Sequence, residues 1–222
     1  MLKLENVSFS YPAKEIFKSI NLFINYGEFI FLVGESGIGK TTLLKLIYRD
    51  VLPQKGDIVF EDFDFAKMEK SDTPYLRRKI GVIFQDFKLM YDRNIYENIA
   101  VPLYIAGEKP DKIKKKVYDI SSKLGIMDKL KDSPHDLSGG ELQRTAIARA
   151  MITEPKLLIA DEPTGNLDPF ISLEIVKLIN EINMKGTAVI FATHNFEIVR
   201  KMRDKRIIQI KEHKLFEVKL KV

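Results

Sequence analysis

Cysteine is absent from this chain of 222 residues. Without it there is no disulfide framework, no thiol nucleophile and no thiolate-ligated zinc or iron–sulfur site. Histidine is nearly as scarce: His135, His194 and His213 stand far apart in the chain, which disfavours a histidine metal cluster. Long apolar runs are missing too. Ile30 to Val33 and Leu157 to Ala160 are typical, far short of the ~20 apolar residues that cross a bilayer. The opening Met1-Leu2-Lys3-Leu4-Glu5 lacks the apolar stretch of a secretory signal. The expectation is a cytosolic chain that reaches a membrane only through a partner. Internal repeats and low-complexity segments are also lacking.

What remains is a globular composition, 45% hydrophobic and 30% charged, with enough chain to bury a core without covalent staples. The net charge of +5 is unevenly placed. Residues 200–222 hold nine basic and three acidic side chains, so the rest of the chain is close to neutral. This basic end reads as a solvated face on terminal strands. The alternative is attraction to anionic lipid, for which Lys201, Arg203, Lys205 and Arg206 are the candidates. A nucleic-acid surface needs stacking aromatics among the basic residues, and Phe216 is the one available there.

Residues 1–9 and 19–25 have strand character. The unbroken apolar runs Phe29 to Val33, Ile80 to Phe84, Leu157 to Ala160 and Thr187 to Ala192 predict strands buried on both faces. Helical patterns alternate with them over Thr41 to Arg49, Glu141 to Thr153 and Ser172 to Met184. That alternation predicts an α/β fold with a mainly parallel sheet. Residues 90–153 carry helical patterns over Asn94 to Ile105 and Lys112 to Leu124 and no buried strand; they read as an inserted helical subdomain.

Gly34-Glu35-Ser36-Gly37-Ile38-Gly39-Lys40-Thr41 fits the pattern G-x-x-x-x-G-K-[ST] between an apolar strand and a helix opening with Thr42. This is the context a phosphate-binding loop requires. Glycines let successive N–H groups turn toward one anion, and the helix N-terminus adds its positive end. Lys40 is placed to reach the β- and γ-phosphates, and the Thr41 hydroxyl to ligate Mg²⁺. Further on, the strand 157–160 runs into Asp161 and Glu162. Carboxylates at the C-terminal end of a buried strand face the ligand edge of an open α/β sheet. Asp161 suits Mg²⁺, and Glu162 suits a general base that polarises the attacking water. Ser138-Gly139-Gly140 before a helix is a second anion-binding arrangement. Both sites can address one nucleotide only if two copies meet head to tail.

Taken in order, these motifs resemble the nucleotide-binding subunit of an ABC (ATP-binding cassette) ATPase over essentially all 222 residues. The resemblance implies one ABC-type domain over 1–222: a P-loop NTPase (RecA-like) core with a mainly parallel sheet, an antiparallel β subdomain and a helical subdomain at about 91–153. It implies that Leu137 to Glu141 is the family signature, that Tyr11 stacks on adenine, and that Gln85 is the glutamine linking the Mg²⁺ and nucleotide site to a membrane partner. It also implies that Gly165-Asn166-Leu167-Asp168 is the dimer loop, with Asp168 beside the nucleotide, and that His194 contacts the γ-phosphate. ATP and Mg²⁺ would bind between two copies of an ATP-dependent homodimer. An integral membrane, permease-like partner would dock near Gln85 to Ile105, which places the chain peripherally on the cytoplasmic face of the membrane.

Glu162 to Asp168 resembles the branch holding lipoprotein-releasing, macrolide-exporter-type and bacterial cell-division ATPases. The stretches Leu76 to Asp86 and Asp92 to Leu103 look most like the cell-division members. The competing readings are transport proper, a soluble ABC-type protein acting on nucleic acid or ribosomes, and a nucleotide-gated scaffold with little hydrolysis. Two departures stand out. Glu35 puts a negative charge in the phosphate loop, its side chain expected to face solvent. Tyr48-Arg49-Asp50 replaces the small, glycine-containing stretch usual after that helix.

Overall fold

The computed structural model describes residues 1–219. A four-stranded antiparallel sheet and a six-stranded, mainly parallel sheet share the core. The antiparallel sheet runs β2-β1-β4-β5 in space, built from β1 (Leu2–Tyr11), β2 (Lys14–Ile24), β4 (Lys55–Phe60) and β5 (Phe63–Asp64). The larger sheet contains β3 (Phe29–Val33), β6 (Ile80–Ile83), β7 (Leu157–Asp161), β8 (Ala188–Thr193), β9 (Arg206–Lys211) and β10 (Lys214–Val218). Its order is β10-β9-β3-β8-β7-β6, with β10 alone antiparallel to its neighbour.

All five residues of β3 are buried. Side chains alternate across a strand, so Phe29, Phe31 and Val33 enter one core while Ile30 and Leu32 enter the other. On the first face Phe29, Phe31 and Phe191 pack ring to ring, with centroids 5.1–6.2 Å apart. They meet the helical segment through Ile99 and Ile147. On the second face, α1 (Lys40–Ile47) and the antiparallel sheet close over the strands through Leu43, Leu44, Leu2 and Leu4. Each fully buried aliphatic or aromatic side chain contributes about 1.5–3 kcal/mol, so the central strands are the most strongly determined part of the fold.

Between β6 and β7 the described residues form only helices and turns: α3 (Ile95–Ile105), α4 (Pro110–Lys123) and α5 (Gly139–Met151). Capping chemistry sets where these helices begin. Asn94 and Glu97 make a reciprocal capping box at α3, and Ser138 and Glu141 make one at α5. After β7 comes α6 (Pro169–Met184), which starts three residues before the sequence pattern predicts, because Asp168 caps it and Pro169 holds its first position. Two short helices, α2 (Thr73–Arg78) before β6 and α7 (Phe196–Lys201) after β8, complete the α-helices among the described residues.

The parallel register decides the site. Val33 pairs with Thr193, Ala192 with Asp161, and Ala160 with Ile83. The chain therefore leaves β3, β8, β7 and β6 side by side at one edge of the sheet, delivering Gly34, His194, Glu162 and Gln85 to one place.

Most of the described part of the basic end lies in the sheet, as β9 and β10. Arg206 donates to Glu28, Glu217 and the carbonyl of Phe23. Lys205 pairs with Asp204 and lies over the Phe29 ring. Lys201 and Arg203 are exposed, and Lys221 lies outside the described residues.

Candidate active site

Residues 34–39 join β3 to α1. Gly39 has φ +124, and a Cβ there would lie 2.7 Å from Ile16 Cγ2. Glycine is required at this point both for backbone angle and for space. Lys40, 6% exposed, turns its ammonium back over the loop and donates to the carbonyls of Gly34 (2.8 Å) and Glu35 (3.2 Å). Ile38 is half-buried and Thr42 is buried, whereas Glu35, Ser36 and Gly37 are exposed. The Glu35 side chain faces solvent as expected, so its charge does not occupy the cradle.

Three of the candidate residues form one contact chain. Lys40 Nζ lies 3.3 Å from Glu162 Oε1, and His194 Nδ1 lies 2.9 Å from the same oxygen. An ionised carboxylate only accepts, so His194 carries its proton on Nδ1 and leaves Nε2 free. The backbone N–H of His194 also donates to Glu162 Oε2 at 3.4 Å. Glu162 is 8% exposed and holds a left-handed backbone, φ +48. A non-glycine residue in that region costs on the order of 1–3 kcal/mol and persists where its surroundings fix it, a pattern concentrated at functional sites. Here the fixing contacts are Glu162 N–H to the Ala192 carbonyl and Gly165 N–H to the Glu162 carbonyl, both 3.0 Å.

The Thr41 hydroxyl donates to Asp161 Oδ2 at 2.8 Å. Asp161 Oδ1 is buried without a partner. Burial raises the Asp161 pKa above its ordinary value, with the neighbouring Glu162 charge adding to this and the Thr41 hydrogen bond opposing it. A carboxylate oxygen held out of water with no donor suits a hard cation, so the Thr41 and Asp161 oxygens fit Mg²⁺. Among the described residues no cluster of three or more acidic, histidine or cysteine side chains could cage a metal.

Gln85 follows β6 and is exposed. With Thr41 and Asp161 it lines a groove of about 1140 Å³ between the P-loop core and the helical segment. Tyr48, Arg77, Arg78, Pro102 and Ile105 also line this groove. Tyr48-Arg49-Asp50 thus gains a structural role. Arg49 donates to the carbonyls of Met68 and Glu69 and to the Thr73 hydroxyl, tying the end of α1 to the start of α2.

Ser138, Gly139 and Gly140 open α5 at the surface. They pack beside the dimer-loop candidate Leu167 and Ile171 of α6, which Cβ atoms at Gly139 and Gly140 respectively would meet at 3.1 Å. In this single copy the signature is not joined to the phosphate loop by any hydrogen bond among the described residues. Asp168 caps α6, accepting from the N–H groups of Phe170 and Ile171. Tyr11 is 40% exposed and meets Phe9 edge to face at 5.0 Å, which leaves its ring accessible.

Three further residues act on the site from a distance. Lys14 Nζ donates to the Gly37 carbonyl at 3.2 Å, reaching the phosphate loop from β2. Asn98 and Arg149 hold the loop after Gln85. Nothing local in the sequence marks them, because each acts on a backbone carbonyl or N–H far from it along the chain or across a loop.

The ABC transporter family model matches residues 17–165. The chain is 45% identical over 213 residues to the cell division ATP-binding protein FtsE of Bacillus subtilis, covering 96% of this chain and 93% of that protein. It is 44% identical to FtsE of Escherichia coli K12, covering 90% of each, and 41% identical to that of Mycobacterium tuberculosis, covering 95% and 92%. Among solved structures, a dimeric, post-hydrolysis ATP-binding cassette, MJ0796 bound to ADP and phosphate, superposes with a TM-score of 0.87 at 30% identity, covering all of both chains. The glycine-rich loop, the paired carboxylates Asp161 and Glu162 and His194 on one sheet edge, in a chain this close to those relatives, admit one conclusion: this chain belongs to the ABC transporter ATP-binding family, as a cassette of the FtsE type.

Proposed function

We propose that the protein is the ATP-hydrolysing subunit of a cell-division complex of the FtsEX kind, driving an FtsX-like membrane partner that controls cell-wall hydrolases outside the cell. The observation that carries the catalytic part is the Lys40–Glu162–His194 contact chain beside the Thr41–Asp161 pair. The backbone N–H groups of residues 34–42 and the Lys40 ammonium hold the phosphates, and Tyr11 stacks on the base. Thr41, Asp161 and Gln85 would hold Mg²⁺, which would supply neutralisation of the phosphate charge. Lys40 exchanges Glu162 for the phosphates, which frees the carboxylate. Glu162 then takes a proton from the water that attacks the γ-phosphorus, as the bond to the β-phosphate oxygen breaks and ADP leaves. His194 steadies the charge that develops on the γ-oxygens.

Ser138, Gly139, Gly140 and Asp168 make no hydrogen bond to the phosphate loop of their own copy and suit the nucleotide of a second copy in an ATP-dependent dimer. The groove beside Gln85 and the α3 end at Ile105 form the membrane partner's seat. The helical subdomain at about 91–153 belongs to the single domain and moves that seat. No helix among the described residues is long and apolar enough to cross a membrane, so the partner places the protein peripherally at the cytoplasmic face. The test uses the native absence of cysteine. An Ile105→Cys/Glu162→Gln variant, trapped with ATP on cell membranes, is cross-linked through its unique thiol and the product identified. A small four-span protein with a modest extracellular domain is the expected product. A larger permease, or one with a large periplasmic domain, would move the protein to lipoprotein release or efflux.

A further inference from the structure

The loop that follows β6 is fastened along its length. Asn98, wholly buried on α3, brackets Met90 at its far end: its side-chain oxygen accepts from the Met90 N–H at 2.7 Å and its amide donates to the Met90 carbonyl at 2.9 Å. Asn166 donates to the Gln85 carbonyl at 3.4 Å. Between them, the Arg149 guanidinium donates to the Phe87 carbonyl at 2.6 Å and to the Lys88 carbonyl. Phe87 and Lys88 are consecutive left-handed residues, φ +58 and +49, and neither is glycine. Such a pair is held only where the surroundings fix it. Both of its carbonyls go to one side chain. A planar guanidinium fork can serve two neighbouring acceptors, which a lysine ammonium cannot match in geometry.

Arg149 lies in the last turn of α5, the helix capped by Ser138. Ten residues of helix separate Gly139 from Arg149, about 15 Å of stiff rod. One end of that rod is the signature and the other grips the loop of Gln85. The grip is possible because α5 approaches β6 closely: a Cβ at Gly81 would collide with the Ala150 carbonyl.

We propose that Arg149 is a positioning residue for the ATPase reaction, locking the Gln85 loop to the signature helix. The seating of Ser138 to Gly140 on a second copy's nucleotide and the seating of Gln85 at the Mg²⁺ site are then one movement. The inference rests on the reading that Gln85 reaches the metal.

The test compares Arg149→Ala, Arg149→Lys, Gln85→Ala and the Arg149→Ala/Gln85→Ala double variant in the full chain. Hydrogen–deuterium exchange of the amides at 87–90 is read without nucleotide, with α1 as the internal control. Turnover, KM for ATP and the Mg²⁺ concentration for half-maximal rate are read in parallel. In both Arg149 variants exchange at 87–90 quickens while α1 is unchanged. Turnover falls about 10- to 100-fold, the cost of a small misplacement at a reacting centre, with KM for ATP changed less than about twofold. The double variant is no slower than Gln85→Ala alone, because both act through one group. Wild-type turnover in Arg149→Lys with a loosened loop overturns the inference, and so does a double variant whose losses multiply. Wild-type turnover and Mg²⁺ demand in Gln85→Ala removes the reading of Gln85 itself, a result visible in that variant alone.

Discussion

Glu162→Gln separates what the buried contact chain does for the resting protein from what it does for catalysis. The carboxylate and the Lys40 ammonium are each at most about a tenth exposed, and their atoms are 3.3 Å apart. Removing one partner of a buried ion pair costs about 3–5 kcal/mol. Two features of this site reduce that. Lys40 keeps its hydrogen bonds to the Gly34 and Glu35 carbonyls, and losing the Glu162 charge relieves its repulsion of Asp161. A net loss of about 1–2 kcal/mol follows, which lowers the nucleotide-free Tm by roughly 2–8 °C in a chain of this size. The same change acts in the opposite direction on nucleotide affinity. Lys40 no longer has to leave a carboxylate to meet the phosphates, and the phosphates no longer approach a negative side chain. ATP therefore binds about tenfold tighter, equivalent to about 1.4 kcal/mol, while hydrolysis falls about 10²- to 10⁴-fold with the loss of the base. The measurements are scanning calorimetry without nucleotide, fluorescent-ATP titration and single-turnover phosphate release. A variant with raised Tm and weaker ATP binding would refute the argument that Lys40 is shared between Glu162 and the phosphates. Unchanged hydrolysis would refute Glu162 as the base.

Three further outcomes are expected. Tyr11→Ala weakens ATP binding by about 1–3 kcal/mol, the worth of one base–aromatic stack, while Tm moves little because the ring is 40% exposed; isothermal titration reads the first and calorimetry the second. Gly81→Ala forces α5 off β6, where its Cβ meets the Ala150 carbonyl, and costs about 1–3 kcal/mol of overpacking; urea unfolding reads this as a lower midpoint with unchanged slope. The Tyr48 phenol is pushed up to about 12, first by burial and then by the Asp50 and Asp161 charges. Between pH 10 and 12 the unfolded phenol loses its proton while the folded one keeps it, so stability present below pH 10 falls as pH rises through that window. Tyr48→Phe removes this portion of the alkaline loss, and a midpoint that falls equally steeply in both proteins contradicts it.

Much of the fold was legible because the relevant physics is local. Strands buried on both faces show as unbroken apolar runs, and β3, β7 and β8 stand within a residue or so of where those runs predict them. Helix starts were less legible: α6 begins at Pro169 through the Asp168 cap, a polar residue outside the apolar pattern. The sequence pattern did not reveal β4, and it placed terminal strands in the basic end without giving the bounds of β9 and β10. In β4, three of six residues are exposed, and in β10 none is buried. Such strands form because a neighbouring strand offers its hydrogen bonds, which is a tertiary condition.

The candidate site divides in the same way. The residue types and spacing of Gly34 to Thr41, Asp161-Glu162 and Ser138 to Gly140 were determined by the sequence alone, because phosphate and Mg²⁺ chemistry demands those types at those local spacings. The shared Glu162 oxygen between Lys40 and His194, the orphan oxygen of Asp161, the Arg49 tie and the Arg149 grip on the Phe87 and Lys88 carbonyls were decided only by the tertiary structure. Each joins groups from distant parts of the chain, several through backbone atoms that every residue possesses. A sequence distinguishes side chains, whereas only the parallel register of the sheet determines which of them arrive at the same edge.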